Sequence, residues 1–187
     1  MKSDPQELVI IVWFDMDGTL VKFIDGGDIF RSRYFEELPP HEEICETASK
    51  IDGMELGTRI INGQMYRIVL KTASLSSYLT NTPHDVLTEK NNSLDAYTSI
   101  PRENRVFIPC GSSKWSKVVS MGLEERSILI DDFGRNLADW KGPCIKVSRN
   151  AKDMEKEMRR YTFCISPDNS VKENIETIKR CVSTLQF

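Results

Sequence analysis

The stretch LVIIVWFDMDGTL, residues 8–20, decides the fold class of this chain. Its first seven residues are apolar, and most are β-branched or aromatic, which is typical of a strand buried on both faces of a parallel sheet. Asp15 and Asp17 follow directly, and Gly18 comes next. Carboxylates at the end of so apolar a strand require a physical explanation, because a buried charge without a partner is costly.

The composition indicates one domain of ordinary size. The chain has 187 residues, 28% of them charged, and a formal net charge of −3, which argues against binding of polymeric nucleic acid. No apolar run approaches the roughly 20 residues that span a bilayer, and the first residues lack the layout of a signal peptide. We therefore expect a cytoplasmic protein without a membrane partner.

The five cysteines are widely spaced, and none belongs to a CxxC pair. This pattern argues against a disulfide framework and against a zinc site, so we expect reduced cysteines in the core. Cysteine-phosphatase chemistry at Cys110 is excluded, because that chemistry needs an arginine at the position occupied by Ser116.

Strand and helix signals alternate along most of the chain. Helix signals, rather than hairpin turns, separate the strands, which predicts parallel strands joined by helical crossovers. The predicted strands cover 8–14, 66–71, 105–110, 127–130, 143–147 and 163–165. The helix starts are marked by capping residues: Thr82 with Pro83 and Asp85, either Ser112 or Ser113, and Ser170 with Glu173.

This alternation predicts an α/β fold, with a doubly wound parallel sheet in a three-layer, Rossmann-type arrangement. Residues 21–62 fit the alternation poorly, since they contain GG, PP and few apolar repeats. We predict that they form a small, mostly helical cap inserted into a core made of residues 1–20 and 63–187.

Polar residues follow four of the predicted strands. In an open parallel sheet ligands bind outside the carboxyl ends of the strands, so these residues are the candidates for chemistry. They are Asp15 and Asp17, then Thr72, then Lys114, then Asp131 and Asp132. Several carboxylates at one edge repel one another and need a cation, and oxygen ligands of this kind suit Mg²⁺.

This ordered set resembles the four motifs of the haloacid dehalogenase-like (HAD) superfamily of phosphatases. The motifs are DMDGT, a lone threonine closing a strand, a lysine at a helix start and an apolar run ending in DD, and they span residues 8–140. More narrowly, DMDGTLVKF and ILIDDFGRNLADWKG are similar to the 5'(3')-deoxyribonucleotidases. The resemblance implies a HAD-like core, a Mg²⁺ cofactor and a small phosphorylated metabolite, in the narrower case a nucleotide, as the partner.

The resemblance also implies catalytic roles. Asp15 is the expected nucleophile, which forms an aspartyl-phosphate. Asp17 is the expected general acid and base, and its backbone carbonyl is a metal ligand. Thr72 and Lys114 are expected to hold the phosphoryl oxygens.

The same resemblance implies metal and substrate contacts. Asp132 is expected to bind Mg²⁺ directly beside Asp15, with Asp131 supporting it. Gly18 lets the chain approach the phosphate closely. The remaining expected substrate contacts are Thr19, Phe23 against a nucleobase, and Ser74.

Several alternatives stay open at the level of single residues. Ser74 competes with Thr72 for the phosphate, and Lys117 competes with Lys114. The nucleotidases usually carry an arginine directly after the Asp pair, whereas this chain has Phe133. The candidates for a compensating positive charge are Arg31, Arg33 and Arg59, and the two histidines, His41 and His84, are expected to be exposed.

The expected function is Mg²⁺-dependent hydrolysis of a phosphate monoester, with (deoxy)nucleoside monophosphates as the favoured substrates. One alternative keeps the fold and passes the phosphoryl group to a sugar hydroxyl, or acts on sugar phosphates and other small esters. Another is a phosphate-binding or regulatory module without turnover. The sequence leaves the oligomeric state open, with a homodimer among the alternatives.

Overall fold

The structure, a computed structural model, describes residues 5–24 and 26–187. Its strands are β1 (Gln6–Phe14), β2 (Glu55–Ile61), β3 (Gln64–Tyr78), β4 (Arg105–Pro109), β5 (Ser127–Asp131), β6 (Cys144–Val147) and β7 (Cys164–Ile165). Its helices are α1 (Glu42–Ile51), α2 (Val86–Tyr97), α3 (Lys114–Ser120), α4 (Gly134–Asp139), α5 (Ala151–Met158) and α6 (Val171–Val182). No helix in this part of the chain has the length and apolar character needed to cross a membrane.

The strands form one sheet with the order β2-β3-β1-β5-β6-β7. All neighbours along this path are parallel except β2 and β3, which are antiparallel. β4 is parallel to β3 and pairs with residues 74–78, whereas β2 pairs with residues 64–69. The carboxyl ends of β1 and β5 are therefore neighbours at the centre of the sheet.

Helices cover both faces of the sheet. The alternation of β1 directs Ile10, Val12 and Phe14 into one apolar cluster, which also contains buried residues of α1 and α6. Trp13 belongs to a second cluster, with Val118 of α3. The predicted α/β class is thus confirmed, with a mostly parallel sheet between helical layers.

The predicted cap over 21–62 is wrong in its second half. Residues 42–51 form α1, whose buried side chains pack into the main core, and 55–61 form β2 of the sheet. Asn62 and Gly63 both have positive φ, which is the backbone of a tight hairpin turn that joins β2 to β3. Among the described residues of 21–41, the structure has no helix or sheet strand: this stretch consists largely of turns and is closed by a bridge between Val21 and Pro40.

The helix starts were predicted well at two of three positions. Ser113 caps α3 and Ser170 caps α6, where Glu173 completes a capping box. For α2 the prediction placed the cap at Thr82. The cap is instead Asp85, whose side chain accepts from the backbone N–H of Thr88, so this helix begins later than predicted. All five cysteines are free, but Cys110 is exposed and does not belong to the core.

Candidate active site

The site begins where β1 and β5 end side by side. The backbone N–H of Asp15 donates to the carbonyl of Ile130, at 2.9 Å, so the sheet pairing continues to the first aspartate. Asp131 is the last residue of β5, and Asp132 follows it. The structure brings Asp15, Asp131 and Asp132 together, with one carboxylate oxygen of each within 4.8 Å of the others.

Lys114 joins two of these carboxylates. It is the first residue of α3, its side chain is only 1% exposed, and its Nζ lies 2.5 Å from Asp15 Oδ1 and 2.7 Å from Asp131 Oδ2. Burial alone would lower the pKa of Lys114, but the two carboxylates outweigh it and raise the pKa, so the ammonium stays charged. Lys117, the alternative, is exposed.

Asp131 is fully engaged by hydrogen bonds. Its Oδ1 accepts from the backbone N–H of Phe133 at 2.7 Å, and its Oδ2 accepts from Lys114 and from the Asn136 amide at 2.9 Å. Burial, with the nearby charge of Asp15, raises the pKa of Asp131 to about 6. These contacts suit a residue that orients Lys114 and supports its neighbours.

The pKa of the Asp132 carboxyl group is raised further than that of Asp131. Burial raises its pKa to about 7, with further contributions from Asp15 and Asp131. Its backbone is fixed at both ends, because its N–H donates to Thr19 Oγ1 at 3.1 Å and its carbonyl accepts from the Lys146 ammonium. A carboxylate held in this way beside two others is destabilised unless a proton or a cation neutralises it.

Gly18 and Thr19 serve Asp132, and neither lines the cavity described below. Gly18 has φ +81°, and a Cβ there would lie 2.3 Å from Asp132 Oδ2. The absent side chain therefore makes room for the Asp132 carboxylate. The prediction was that it makes room for a phosphate. Thr19 is fully buried, and its hydroxyl accepts from the backbone N–H of Asp132, so it positions Asp132.

Thr72 lies away from the carboxylates. The strand was predicted to end at residue 71, whereas β3 runs to Tyr78, so Thr72 is inside it. Thr72 pairs with Val12, three residues before Asp15, which corresponds to about 10 Å along the strand. Its hydroxyl donates to Asp52 Oδ1 at 2.9 Å. The expectation that Thr72 follows the end of its strand is therefore wrong, and Thr72 does not line the cavity described below.

Ser74 also fails as the alternative. It pairs with Phe14 and is fully buried, and its hydroxyl has no hydrogen-bond partner within the described residues. The hydroxyls near the site come later in β3. Ser76 accepts from the backbone N–H of Met16 at 2.9 Å and lies 3.4 Å from Asp15 Oδ1, whereas Ser77 lines the cavity.

Asp17 has a partner that the sequence did not suggest. Its Oδ2 lies 2.5 Å from Nζ of Lys90, a residue of α2 whose side chain is 1% exposed. Its Oδ1 is buried without a hydrogen-bond partner in the part of the chain that the structure describes. Burial raises the pKa of Asp17, and Asp15 adds to the shift, while Lys90 and Lys114 oppose it.

A cavity of about 540 Å³ opens onto these groups. Two aromatic side chains line it, and both are largely exposed: Phe23 at 43% and Phe133 at 56%. Its other lining residues are Asp15, Asp17, Ser77, Cys110, Gly111, Ser112, Ser113, Lys114, Asp132, Arg135, Asn136, Asp139 and Arg149. The cavity therefore combines a charged floor with a partly apolar mouth.

The arginines at the cavity differ from the predicted ones. Arg135 and Arg149 line it, and Arg135 follows the Asp pair in the same motif, where the sequence signal was available. The three predicted arginines bind elsewhere: Arg31 pairs with Glu37, Arg33 with Glu36, and Arg59 donates to the carbonyls of Ser183 and Leu185.

The two histidines are buried, contrary to the prediction. His41 is 9% exposed at the start of α1, and burial lowers its pKa. The His84 side chain is 6% exposed, and its Nδ1 lies 2.7 Å from Glu89 Oε1. Neither lines the cavity.

Comparisons of the chain with protein-family models, with curated proteins and with solved structures found no match. The functional proposal therefore depends on the residues of this site and their geometry.

Proposed function

We propose that this protein is a Mg²⁺-dependent phosphomonoester hydrolase that works through an aspartyl-phosphate. The observation that carries the proposal is the pairing of Asp15 with a buried lysine, Lys114, inside a cavity that also receives Asp17 and Asp132. This arrangement supplies a nucleophile, an anion-binding cation and a proton donor at one place. Those are the groups that phosphoryl transfer through a carboxylate needs.

The donor set fits a magnesium ion. Three carboxylates offer oxygens within 4.8 Å of one another, and two of them, Asp131 and Asp132, have raised pKa values. Asp15, Asp132 and the backbone carbonyl of Asp17 are the groups that would hold the ion, with Asp131 supporting them. When bound, the ion neutralises negative charge on the carboxylates and on the phosphate.

In the first half of the reaction, an Asp15 oxygen attacks phosphorus. A new bond forms between this oxygen and phosphorus while the bond from phosphorus to the leaving oxygen breaks. Asp17 gives its proton to that leaving oxygen. Lys114 and Ser77, which line the cavity with Asp15, stabilise the negative charge on the phosphoryl oxygens.

In the second half, water hydrolyses the aspartyl-phosphate. Asp17, now ionised, takes a proton from the water as its oxygen attacks phosphorus. The bond between Asp15 and phosphorus breaks, which releases inorganic phosphate and restores both carboxyl groups. The same side chain thus serves as the acid in one step and the base in the next.

The favoured substrates are (deoxy)nucleoside monophosphates. Phe23, expected to meet a nucleobase, lies at the cavity, and Phe133 provides a second aromatic surface there. Aromatic rings stack favourably on planar bases, and the exposed parts of both side chains are available for this contact. The arginine that the nucleotidases carry after the Asp pair is absent, and Arg135 supplies a positive charge two residues beyond Phe133.

The decisive experiment compares hydrolysis of p-nitrophenyl phosphate by the wild type and by Asp15→Asn, with Mg²⁺ or with EDTA. We expect phosphate release only from the wild type with Mg²⁺, and a transient mass increase of one phosphoryl group on Asp15. Asp95→Asn is the matched control, because Asp95 pairs with Arg102 and Arg105 outside the cavity. Equal hydrolysis with EDTA, or by Asp15→Asn, would refute the mechanism.

A further inference from the structure

Lys90 is a buried cation whose ammonium contacts Asp17. It belongs to α2, which contains none of the four sequence motifs. We infer that Lys90 is a positioning residue that fixes the orientation of the Asp17 carboxylate for proton transfer to the leaving group. The inference rests on the proposed function, because it assigns a role to Lys90 within that reaction.

The contacts of Lys90 identify Asp17 as its ionic partner. Its Nζ lies 2.5 Å from Asp17 Oδ2 and 4.6 Å from the centroid of the Phe35 ring. The Lys90 side chain is 1% exposed, whereas that of Asp17 is 26% exposed. Because a buried ammonium without an anionic partner is strongly destabilising, Lys90 holds Asp17 tightly.

The neighbouring residue of α2 fixes where Lys90 lies. Glu89 is buried, and its carboxylate accepts from the backbone N–H groups of Arg33, at 2.6 Å, and Phe35, at 3.2 Å. His84 adds a contact of 2.7 Å to the same carboxylate. Glu89 therefore ties α2 to the chain segment that carries Phe35, and the Phe35 ring in turn contacts Lys90.

The two oxygens of Asp17 consequently have different environments. Lys90 occupies Oδ2, while Oδ1 has no hydrogen-bond partner within the described residues. The contact with Lys90 therefore distinguishes the two oxygens and fixes the orientation of the carboxyl group. Without Lys90 the carboxylate loses the contact that distinguishes its two oxygens, and a misplaced proton donor is a poor one.

This role predicts a dependence on the leaving group. An alkoxide leaves only with a proton, whereas p-nitrophenolate is stable enough to leave without one, so only alkyl esters need Asp17 as an acid. A loss of general fold or of phosphate binding would instead affect both substrates equally.

The experiment measures kcat and KM of Lys90→Met, Lys90→Arg and Asp17→Asn with glycerol phosphate and with p-nitrophenyl phosphate, at saturating Mg²⁺. For Lys90→Met we expect kcat/KM, which reports the steps up to release of the alcohol, to fall at least about tenfold more with glycerol phosphate than with p-nitrophenyl phosphate, because general acid catalysis contributes about 10²–10⁴-fold. Lys90→Arg keeps the charge and should restore part of the loss. In the Asp17→Asn background, Lys90→Met should cause no further selective loss.

The double variant also protects the test against misfolding, because it removes both partners of the buried pair; thermal unfolding is followed for each protein. An equal loss of kcat/KM with both substrates, or a further selective loss from Lys90→Met in the Asp17→Asn background, would overturn the inference. Failure of the proposed function gives a different result: the wild type itself would then release no phosphate from either ester.

Discussion

The cavity has two unlike regions, and their difference separates the reaction from the choice of substrate. The inner wall is defined as Asp15, Lys114 and Asp132, which line the cavity, together with Asp131, which does not. Lys114 donates to Asp15 and Asp131, and these three residues are buried, whereas Asp132 is half-buried. The outer rim, defined as Phe23, Phe133 and Arg135, is exposed. The energy of a buried charge depends strongly on its partners, whereas an exposed aromatic ring contributes modestly to substrate binding. We therefore expect mutations in the inner wall to lower kcat and the free energy of unfolding, and mutations in the outer rim to raise KM.

The largest effect is expected from the lysine of the inner wall. Lys114→Met should lower kcat about 10²–10³-fold, since it removes the cation that holds the phosphoryl oxygens. It should also lower the free energy of unfolding by about 3–5 kcal/mol, because Asp15 and Asp131 lose a buried partner. Steady-state kinetics and urea unfolding measure the two effects.

Lys117→Met is the matched control for this prediction. Lys117 lies one turn further along the same helix and is exposed, so activity and stability should stay close to those of the wild type. Similar losses for both lysine variants would show that the helix as a whole, and not the contact of Lys114 with the carboxylates, matters.

A smaller effect is expected at the end of β3. Ser77→Ala should lower kcat/KM about tenfold, which corresponds to the loss of one hydrogen bond to the substrate, about 1.4 kcal/mol. Ser74→Ala should leave kcat/KM unchanged, because Ser74 is fully buried and does not line the cavity. The opposite ranking of the two variants would mean that the phosphate binds nearer the start of β3 than the cavity indicates.

The inner wall should also make the metal-free protein sensitive to pH. The pKa of Asp132 is raised from 3.8 to about 7, so its protonated form favours the folded state, and this contribution is lost as pH rises through that range. In EDTA, the stability of Asp132→Asn relative to that of the wild type should therefore increase as the pH is raised from 5 to 8. Thermal unfolding at both values measures this.

Magnesium sharpens this prediction. Added Mg²⁺ should raise the Tm of the wild type more at pH 8 than at pH 5, since the ion replaces the protons on the raised carboxyl groups. The Tm of Asp132→Asn should respond less. An equal response of both proteins at both pH values would exclude Asp132 as a ligand.

The smallest effect is expected at the outer rim. Phe133→Ala should raise KM for nucleoside monophosphates about two- to tenfold, which corresponds to the loss of one aromatic contact of about 0.5–1.5 kcal/mol. KM for ribose 5-phosphate, which has no base, should not change. Phe30→Ala is the control, because Phe30 is similarly exposed, at 55%, but does not line the cavity.

The inner wall was predictable from the sequence and the hydroxyl end of β3 was not. Asp15 directly follows the apolar run 8–14, and Asp131 and Asp132 directly follow the apolar run 128–130, so local composition marks where these strands end. β3 contains buried hydroxyl groups at Thr72 and Ser74, which look like the end of an apolar run. The hydrogen bond from Thr72 to Asp52 makes its burial tolerable, and only the folded chain reveals it.

The segment 21–62 shows the same limit on a larger scale. Asn62 and Gly63 are a hairpin signal in the sequence, and their positive φ values bear it out. This signal assigns β2 to the sheet, because a hairpin turn pairs it with β3. The place of α1 against α6 joins residues far apart in the chain, and no local pattern indicates it.

The sequence by itself determined the α/β class, every described strand except β2, and the aspartates at the ends of β1 and β5. Each follows from neighbours in the chain, through apolar composition and the limits of a strand. Only the tertiary structure decided that Ser77 rather than Thr72 lines the cavity, that Phe133 joins Phe23 there, and that Lys90 pairs with Asp17. These depend on strand register and helix docking, which are set by packing between distant segments.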